Sequence, residues 1–103
     1  MNEKKEIKIE LTPEVAQGKY ANLAIIAHSA NEFFIDMICM APNTPQAKVQ
    51  SRIIMTPENA KQLLFALQEN VHKYESTFGE ITMRKPINMV DEKITFLGPN
   101  GKA

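Results

Sequence analysis

The chain has 103 residues, of which 44% are hydrophobic, and its 12 basic side chains balance its 12 acidic ones. This size suits one domain with one core, and the hydrophobic content excludes an intrinsically disordered protein. A net charge of zero argues against a general nucleic-acid-binding domain, which is usually basic. We predict a single domain over residues 1–103, with loose termini at residues 1–5 and 98–103.

The sequence favours a location in the cytoplasm. No apolar run approaches the roughly 20 residues that a membrane helix needs. Charged residues at positions 6, 8 and 10 interrupt any secretion signal near the start. The single cysteine, Cys39, excludes a disulfide within the chain and is typical of a reducing compartment. We therefore expect a cytoplasmic protein with no membrane partner.

The first thirty residues predict two strands. Residues 6–11 alternate apolar and charged side chains, with Ile7 and Ile9 on one face, as in a strand at a sheet edge. Pro13 to Gln17 suits a short helical turn before Gly18. Residues 19–28 then alternate again and predict a second strand, which is apolar on both faces.

Two more predicted strands follow a polar turn at Ser29–Glu32, which is short enough for a hairpin. Residues 33–40 form the third predicted strand and residues 48–55 the fourth, with a loop rich in proline and turn-forming residues between them. We expect Cys39 in the third strand to be buried and to act as a small hydrophobic residue.

One long helix is predicted from Pro57 to about Phe78. Thr56 suits the N-cap, Pro57 suits the first helical position, and Gly79 suits the left-handed residue after the last turn. Its apolar residues recur in steps of four and three, a spacing that predicts burial in the core against the sheet and, less often, a coiled coil. This seam consists of Ala60, Leu64, Leu67, Val71, Tyr74 and Phe78. Beyond it, Ile81 and Met83 favour a further short strand.

These elements predict an α+β fold, in which an antiparallel sheet of about four strands, a meander, packs against one long amphipathic helix. A single helix covers one face of such a sheet, whereas Phe33 and Phe34 are adjacent and point to opposite faces. The second apolar face therefore needs another cover. We expect a homodimer, and the alternative is the tail after Gly79.

A second surface is predicted on the polar side of the helix. Phe65 lies almost opposite the apolar seam, and its neighbours there include Lys61, Gln68 and His72. The side chain is either a lone exposed aromatic or an anchor for a protein partner. Both interpretations stay open.

Asp36 interrupts an apolar face of the third strand, and a buried carboxylate needs a partner. Arg52 on the next strand is the natural cross-strand candidate, so we predict a structural ion pair between them. His28 closes a strand beside the turn, where hydrogen bonds with Ser29 and Glu32 are expected. If Asp36 and His28 converged, they could act as an acid and a base.

No motif completes a catalytic or metal site. The sequence has no nucleophile with a base, no paired carboxylates, no glycine-rich phosphate loop and no cluster of ligands at metal-binding spacing. We therefore expect a protein that is not an enzyme, with no catalytic residues, no cofactor and no metal.

A connected pattern of residues runs through the middle of the chain. It consists of Tyr20-Ala21-Asn22, His28-Ser29, Glu32-Phe33, Asp36, Ser51-Arg52, Met55, Pro57, Ala60-Lys61, Leu64, Ala66-Leu67, Asn70, Tyr74-Glu75 and Phe78-Gly79. The pattern resembles the small bacterial domain-of-unknown-function family numbered 3467, over about residues 20–81. The resemblance implies a bacterial origin and one compact domain, and it brings no established activity. It also implies that His28, Asp36, Arg52, Asn70 and Glu75 belong to a shared pattern.

The sequence thus favours a non-catalytic interaction or assembly module that associates with itself through the second apolar face of the sheet. The alternative is a module that binds single-stranded nucleic acid, because strands followed by one long helix resemble the Pur-alpha and PC4-like architectures. Tyr20 and Phe34 could stack on bases in that case. The charge balance makes nucleic acid the weaker hypothesis.

Overall fold

The described part of the chain forms a short helix, three strands and a long helix, in that order. The computed structural model describes residues 5–43, 45–83, 95 and 97–99. Within them the chain is α+β, with one antiparallel sheet followed by a C-terminal helix. The elements are α1 at Pro13–Ala16, β1 at Leu23–His28, β2 at Phe33–Ile38, β3 at Val49–Met55 and α2 at Pro57–Phe78.

The short helix α1 forms because both of its ends are specified locally. The Thr12 hydroxyl oxygen accepts a hydrogen bond from the Val15 N–H over 3.3 Å, and Pro13 supplies the first helical residue. Gly18 follows with a φ of 75°, in the left-handed region that glycine adopts without strain.

The sheet has the order β1-β2-β3, and each strand pairs antiparallel with the next. Residues that are partners across the ladder point to the same face, so each row of three partners lies on one side. One such row joins Ile26, Ile35 and Ile53, and the adjacent position on β2 carries Asp36, between Ile25 and Arg52. The register shifts between Met37 and Ile38.

The two faces of the sheet differ in chemistry. One face, called here the isoleucine face, carries Ala24, Ile26, His28, Phe33, Ile35, Met37, Ser51, Ile53 and Met55. The other face, called here the aspartate face, carries Leu23, Ile25, Ala27, Phe34, Asp36, Ile38, Val49, Arg52 and Ile54. Both are largely apolar, and an ion pair interrupts only the aspartate face. Among the described residues, the buried side chains are Ile35, Asp36 and Ile38, all on the central strand β2.

The bounds predicted for the long helix are confirmed. Thr56 caps its start, since its hydroxyl oxygen accepts the Asn59 N–H over 3.2 Å. At the other end the Gly79 N–H donates to the Glu75 carbonyl oxygen over 2.9 Å, and the Gly79 φ of 98° ends the helix. The Tyr74 and Phe78 rings contact each other with centroids 4.9 Å apart.

The prediction that the apolar seam of α2 is buried in the core is wrong for this chain alone. None of the helix residues is buried, and Leu67 and Phe78 are 58% and 72% exposed. The spacing of apolar residues specifies a stripe, but it does not specify which surface covers that stripe.

The predicted strand over residues 6–11 is also wrong. Residues 5–11 have no strand, and Ile9 is 92% exposed. Alternation creates two faces, but a strand also needs a partner for its backbone. Among the described residues the sheet therefore has three strands instead of about four. Likewise, residues 81–83 form no strand. The strands predicted over 19–28 and 33–40 are shorter, at Leu23–His28 and Phe33–Ile38.

The chain divides into two compact units, one that ends at Leu64 and one that begins at Phe65. The single domain therefore stays a prediction. Of the loose termini predicted at 1–5 and 98–103, residues 1–4 and 100–103 lie outside the described residues. Most of the tail after Met83, offered as a cover for the sheet, lies outside them as well.

Candidate functional site

The aspartate face is organised around a cross-strand ion pair. Arg52 Nε donates to Asp36 Oδ1 over 2.7 Å, and Arg52 Nη2 donates to Asp36 Oδ2 over 2.9 Å. The two residues are direct partners across β2 and β3, so the backbone register sets this side-on geometry. A planar guanidinium that binds both oxygens of a carboxylate makes the strongest type of charge-assisted hydrogen bond.

The environments of the two side chains are unequal. Asp36 is 3% exposed, whereas the Arg52 side chain is partly open to solvent and its Cζ lies 5.3 Å from the centroid of the Phe34 ring. The hydrogen bonds from Arg52 lower the pKa of Asp36, against the effect of burial, which raises it. The same hydrogen bonds raise the pKa of Arg52. Asp36 is therefore ionised and paired at neutral pH.

The structure does not bring Asp36 and His28 together. Asp36 lies on the aspartate face, and His28 lies on the isoleucine face, where its ring stacks on Phe33 with centroids 5.3 Å apart. Both carboxylate oxygens of Asp36 already accept hydrogen bonds from Arg52. This arrangement can hold two strands in register, and it does not place an acid and a base around a common reacting atom.

The hairpin turn between β1 and β2 depends on Ser29. Its hydroxyl oxygen accepts the backbone N–H groups of Asn31 and Glu32, each over 3.3 Å. Its own N–H donates to the Glu32 carbonyl oxygen over 2.9 Å. Ser29 and Glu32 thus make hydrogen bonds of the turn, while the ring of the neighbouring His28 stacks on the ring of Phe33.

Both faces of the sheet expose apolar side chains. In the central row of the isoleucine face Ile26 is 61% exposed and Ile53 is 50% exposed, while Ile35 between them is buried. On the aspartate face Ile54 is 52% exposed, and Leu23 and Ile25 are less exposed. The polar members of the isoleucine face, His28 and Ser51, belong to other rows, so the isoleucine row forms an apolar strip across all three strands.

The predicted partner surface on α2 has the spacing of one helix face. Lys61, Phe65, Gln68 and His72 follow one another at steps of four, three and four, and all four are exposed. Phe65 is 55% exposed. The four residues thus share one exposed face of α2, and their role as a partner surface stays a prediction.

Two polar contacts of the structure were not predicted from the sequence. The Asn22 side-chain amide donates to the Met40 carbonyl oxygen over 2.9 Å, and the Met40 N–H donates to Asn22 Oδ1 over 2.8 Å. Near the end of α2, the Ile81 N–H donates to Glu75 Oε2 over 3.0 Å. An asparagine directly before an apolar strand is a signal for such a clamp, because its amide can replace a backbone pair.

Within residues 5–43, 45–83, 95 and 97–99, no group of three or more histidine, cysteine, aspartate or glutamate side chains could hold a metal ion. In that part of the chain, no helix has the length and apolar character needed to cross a membrane.

A protein-family model described as "Protein of unknown function (DUF3467)" matches residues 1–83. The match includes the first twenty residues, which the resemblance over about residues 20–81 left out. No curated protein and no solved structure matches the chain. The polar residues described above, including Asn22, Asp36, Arg52 and Glu75, all lie inside the matched range.

Proposed function

The chain belongs to the DUF3467 family of proteins of unknown function, and we propose that it is a non-catalytic assembly module that forms a homodimer through the isoleucine face. The proposed setting is the bacterial cytoplasm, which the family resemblance and the single cysteine support. The observation that carries the proposal is the row of Ile26, Ile35 and Ile53, whose two outer members are at least half exposed.

Apolar burial supplies the driving force for this contact. Covering an isoleucine side chain that is half exposed contributes roughly 1–2 kcal/mol, and a two-fold dimer covers each one twice. The strip runs across β1, β2 and β3, so the same strip on a second copy can pack against it. Because the net charge of the chain is zero, two copies have no net electrostatic repulsion as they approach.

The aspartate face is a weaker candidate for the same role. Its exposed Arg52 side chain already binds Asp36, and packing a second sheet on it would remove a charged group from water. The isoleucine face carries no formal charge when His28 is neutral. Self-association through the isoleucine face therefore has the smaller desolvation cost.

The test is the mass in solution, by light scattering on a size-exclusion column over a range of concentrations. Ile53→Lys places a charge in the proposed contact, and we expect its dissociation constant to rise at least about thirtyfold, as for an interface hot spot. Ile54→Lys is the matched control, because Ile54 is the next residue, is 52% exposed and lies on the aspartate face. We expect the dissociation constant of the Ile54→Lys variant to equal that of the unmodified protein.

Equal weakening by both variants would mean that lysine perturbs β3 itself, and equal masses for all three proteins would overturn the proposed contact. Circular dichroism at matched concentration shows whether each variant keeps the fold of the sheet.

A second proposed surface is the α2 face with Phe65, Lys61, Gln68 and His72, which would bind a protein partner. It combines an exposed aromatic ring with polar neighbours, as interface anchors do.

Single-strand nucleic-acid binding remains the alternative proposal, with less support. The Phe34 ring, a candidate base-stacking side chain, lies under the Arg52 guanidinium, and that guanidinium binds Asp36. Tyr20 is exposed and could stack on a base. The balanced charge gives a phosphate backbone little attraction.

A further inference from the structure

The apolar seam of α2 has the spacing of a coiled coil. Ala60, Leu67 and Tyr74 fall at the d positions of a heptad, and Leu64, Val71 and Phe78 fall at the a positions. Large apolar side chains on and beside this seam are each more than a third exposed. They are Leu63, Leu64, Leu67, Val71, Tyr74 and Phe78.

Such a helix needs a cover to be stable in water. These six side chains expose on the order of 500 Å² of apolar surface, near the upper end of the largest patch on a typical monomer. Most of the stability of a helix in a protein comes from packing of its apolar face rather than from the helix propensity of its residues. The seam therefore identifies a docking surface, and its own residues indicate the occupant.

We propose that the occupant is the same seam of a second copy of this chain, packed antiparallel, with the two-fold axis at Glu69. In an antiparallel pair centred there, each residue at an a position lies opposite a residue at a d position of the other helix. This arrangement gives three different residue pairs. Ala60 meets Phe78 of the partner subunit, Leu64 meets Tyr74 of the partner subunit, and Leu67 meets Val71 of the partner subunit.

The sizes of the side chains favour this direction over a parallel pair. The smallest seam residue, Ala60, lies opposite a large one, Phe78, and each aromatic ring lies opposite an aliphatic residue. In a parallel pair Ala60 would meet Ala60 of the partner subunit and leave a gap, while Phe78 would crowd Phe78 of the partner subunit. Voids and overpacking both destabilise a core.

Charge complementarity selects the same direction. The e positions beside the seam are Lys61, Gln68 and Glu75, and the antiparallel pair brings Lys61 next to Glu75 of the partner subunit on both sides of the axis. Gln68 then meets Gln68 of the partner subunit and can exchange amide hydrogen bonds with it. In a parallel pair the 14 positions between Lys61 and Glu75 separate the two charges by about 21 Å along the axis.

The hydrogen bond from the Ile81 N–H to Glu75 is compatible with this ion pair. It uses Oε2, and a carboxylate accepts at both oxygens. It also orients the Glu75 side chain, which is only partly exposed although the seam beside it is open.

This inference goes beyond the proposed function, because the seam of α2 is not part of the isoleucine face. Lys61 and Gln68 beside the seam also belong to the second proposed surface, so a protein partner bound there and the α2 pair exclude each other. Two-fold contacts at both the isoleucine face and α2 join copies into an assembly larger than a dimer, and Ile53→Lys should reduce that assembly to the dimer through α2.

The test is crosslinking of the full chain in a Cys39→Ala background. Gln68→Cys places one thiol beside the thiol of the partner subunit only in the antiparallel pair, so a short bis-maleimide should link the chains rapidly. Glu69→Cys is the matched control, since the next residue lies on the opposite helix face. At micromolar protein we expect Gln68→Cys to react at least about a hundredfold faster, because adjacent sites have effective concentrations near millimolar.

Three results would overturn the inference. The first is linking of Leu67→Cys without linking of Gln68→Cys, which indicates a parallel pair. The second is linking of Gln68→Cys and Glu69→Cys at the same rate, which indicates random collision. The third is the absence of linking in both Gln68→Cys and Leu67→Cys, which means that no second copy covers the seam. Repeating the reaction with Ile53→Lys separates the two contacts, because the α2 pair predicts that the Gln68→Cys link survives loss of the sheet dimer.

Discussion

Arg52 donates two hydrogen bonds to Asp36 across β2 and β3, over 2.7 and 2.9 Å, while Asp36 is buried and Arg52 is partly open to solvent. This geometry makes the carboxylate an acceptor for its neighbour instead of a proton donor for a substrate. It also joins the central strand to an edge strand through their side chains. The pair is therefore expected to affect stability more than any reaction.

The first prediction concerns pH. The pKa of Asp36 is lowered in the folded protein, chiefly by the hydrogen bonds from Arg52. Stability from this group is thus fully present above its unfolded pKa, about 3.9, and is lost as pH falls through the folded pKa. Asp36→Asn should lower the free energy of unfolding by about 1–3 kcal/mol at pH 7. The difference from the unmodified protein should shrink below about pH 4, in urea titrations at each pH.

Glu32→Gln is the control for this experiment, because Glu32 is an exposed carboxylate on the hairpin turn. Its unfolding should follow the unmodified protein at neutral pH. A deficit in Asp36→Asn that stays constant from pH 7 to pH 3 would contradict the assignment of the pH dependence to this ion pair.

The second prediction concerns the clamp between Asn22 and Met40. Asn22→Ala removes both hydrogen bonds to the Met40 backbone, so the free energy of unfolding should fall by about 1 kcal/mol. Exchange of the Met40 amide hydrogen with solvent should become faster, since its acceptor is lost. Asn31→Ala is the control in the hairpin turn, where the backbone N–H of residue 31 keeps its bond to Ser29. Unchanged exchange at Met40 in Asn22→Ala would show that the clamp is absent in solution.

The third prediction concerns the end of α2. Gly79 has a φ of 98°, and a Cβ added there would meet no atom within 4 Å. Gly79→Ala should therefore act through backbone strain alone and cost about 1 kcal/mol. Gly79→Asn should cost less, because asparagine tolerates the left-handed region better. Thermal unfolding followed by circular dichroism compares the two variants, and equal costs would mean that strain at this residue does not set the helix end.

The sequence predicted α2 well because both ends depend on adjacent residues. Thr56, Pro57 and Gly79 act within one turn of the helix, so local physics specifies its limits. It also placed Asp36 and Arg52 on neighbouring strands, where the register makes them partners. The predicted strand at residues 6–11 failed because pairing needs a distant backbone, and alternation carries no information about that partner.

The cover of the apolar seam was the other feature that the sequence could not decide. Steps of four and three describe the stripe of a core helix and the seam of a coiled coil equally well. In the structure Leu67 and Phe78 are 58% and 72% exposed, and what covers the seam stays a prediction. Asn22 was missed because its role depends on Met40, which is 18 residues away.

The fourth prediction concerns the nucleic-acid alternative. A fluorescently labelled single-stranded oligonucleotide in low salt should show no change in anisotropy when the protein is added at micromolar concentration. The reason is the balanced charge together with the pairing of Arg52 to Asp36. Binding that weakens steeply as salt rises, and that Tyr20→Ala reduces, would favour the alternative over the assembly module.

The fifth prediction concerns the charges beside the seam of α2. Lys61→Glu places two like-charged pairs in the antiparallel dimer, so its dissociation constant should rise about fivefold. Glu75→Lys should act similarly, with an added loss because its carboxylate no longer accepts the Ile81 N–H. The double variant Lys61→Glu with Glu75→Lys exchanges the charges and should bring the dissociation constant back toward that of the unmodified protein. In a parallel pair the two residues never meet, so the single effects would add in the double variant instead of cancelling. Light scattering in the Ile53→Lys background measures the α2 contact alone, and high salt should reduce each difference because these pairs lie at the surface.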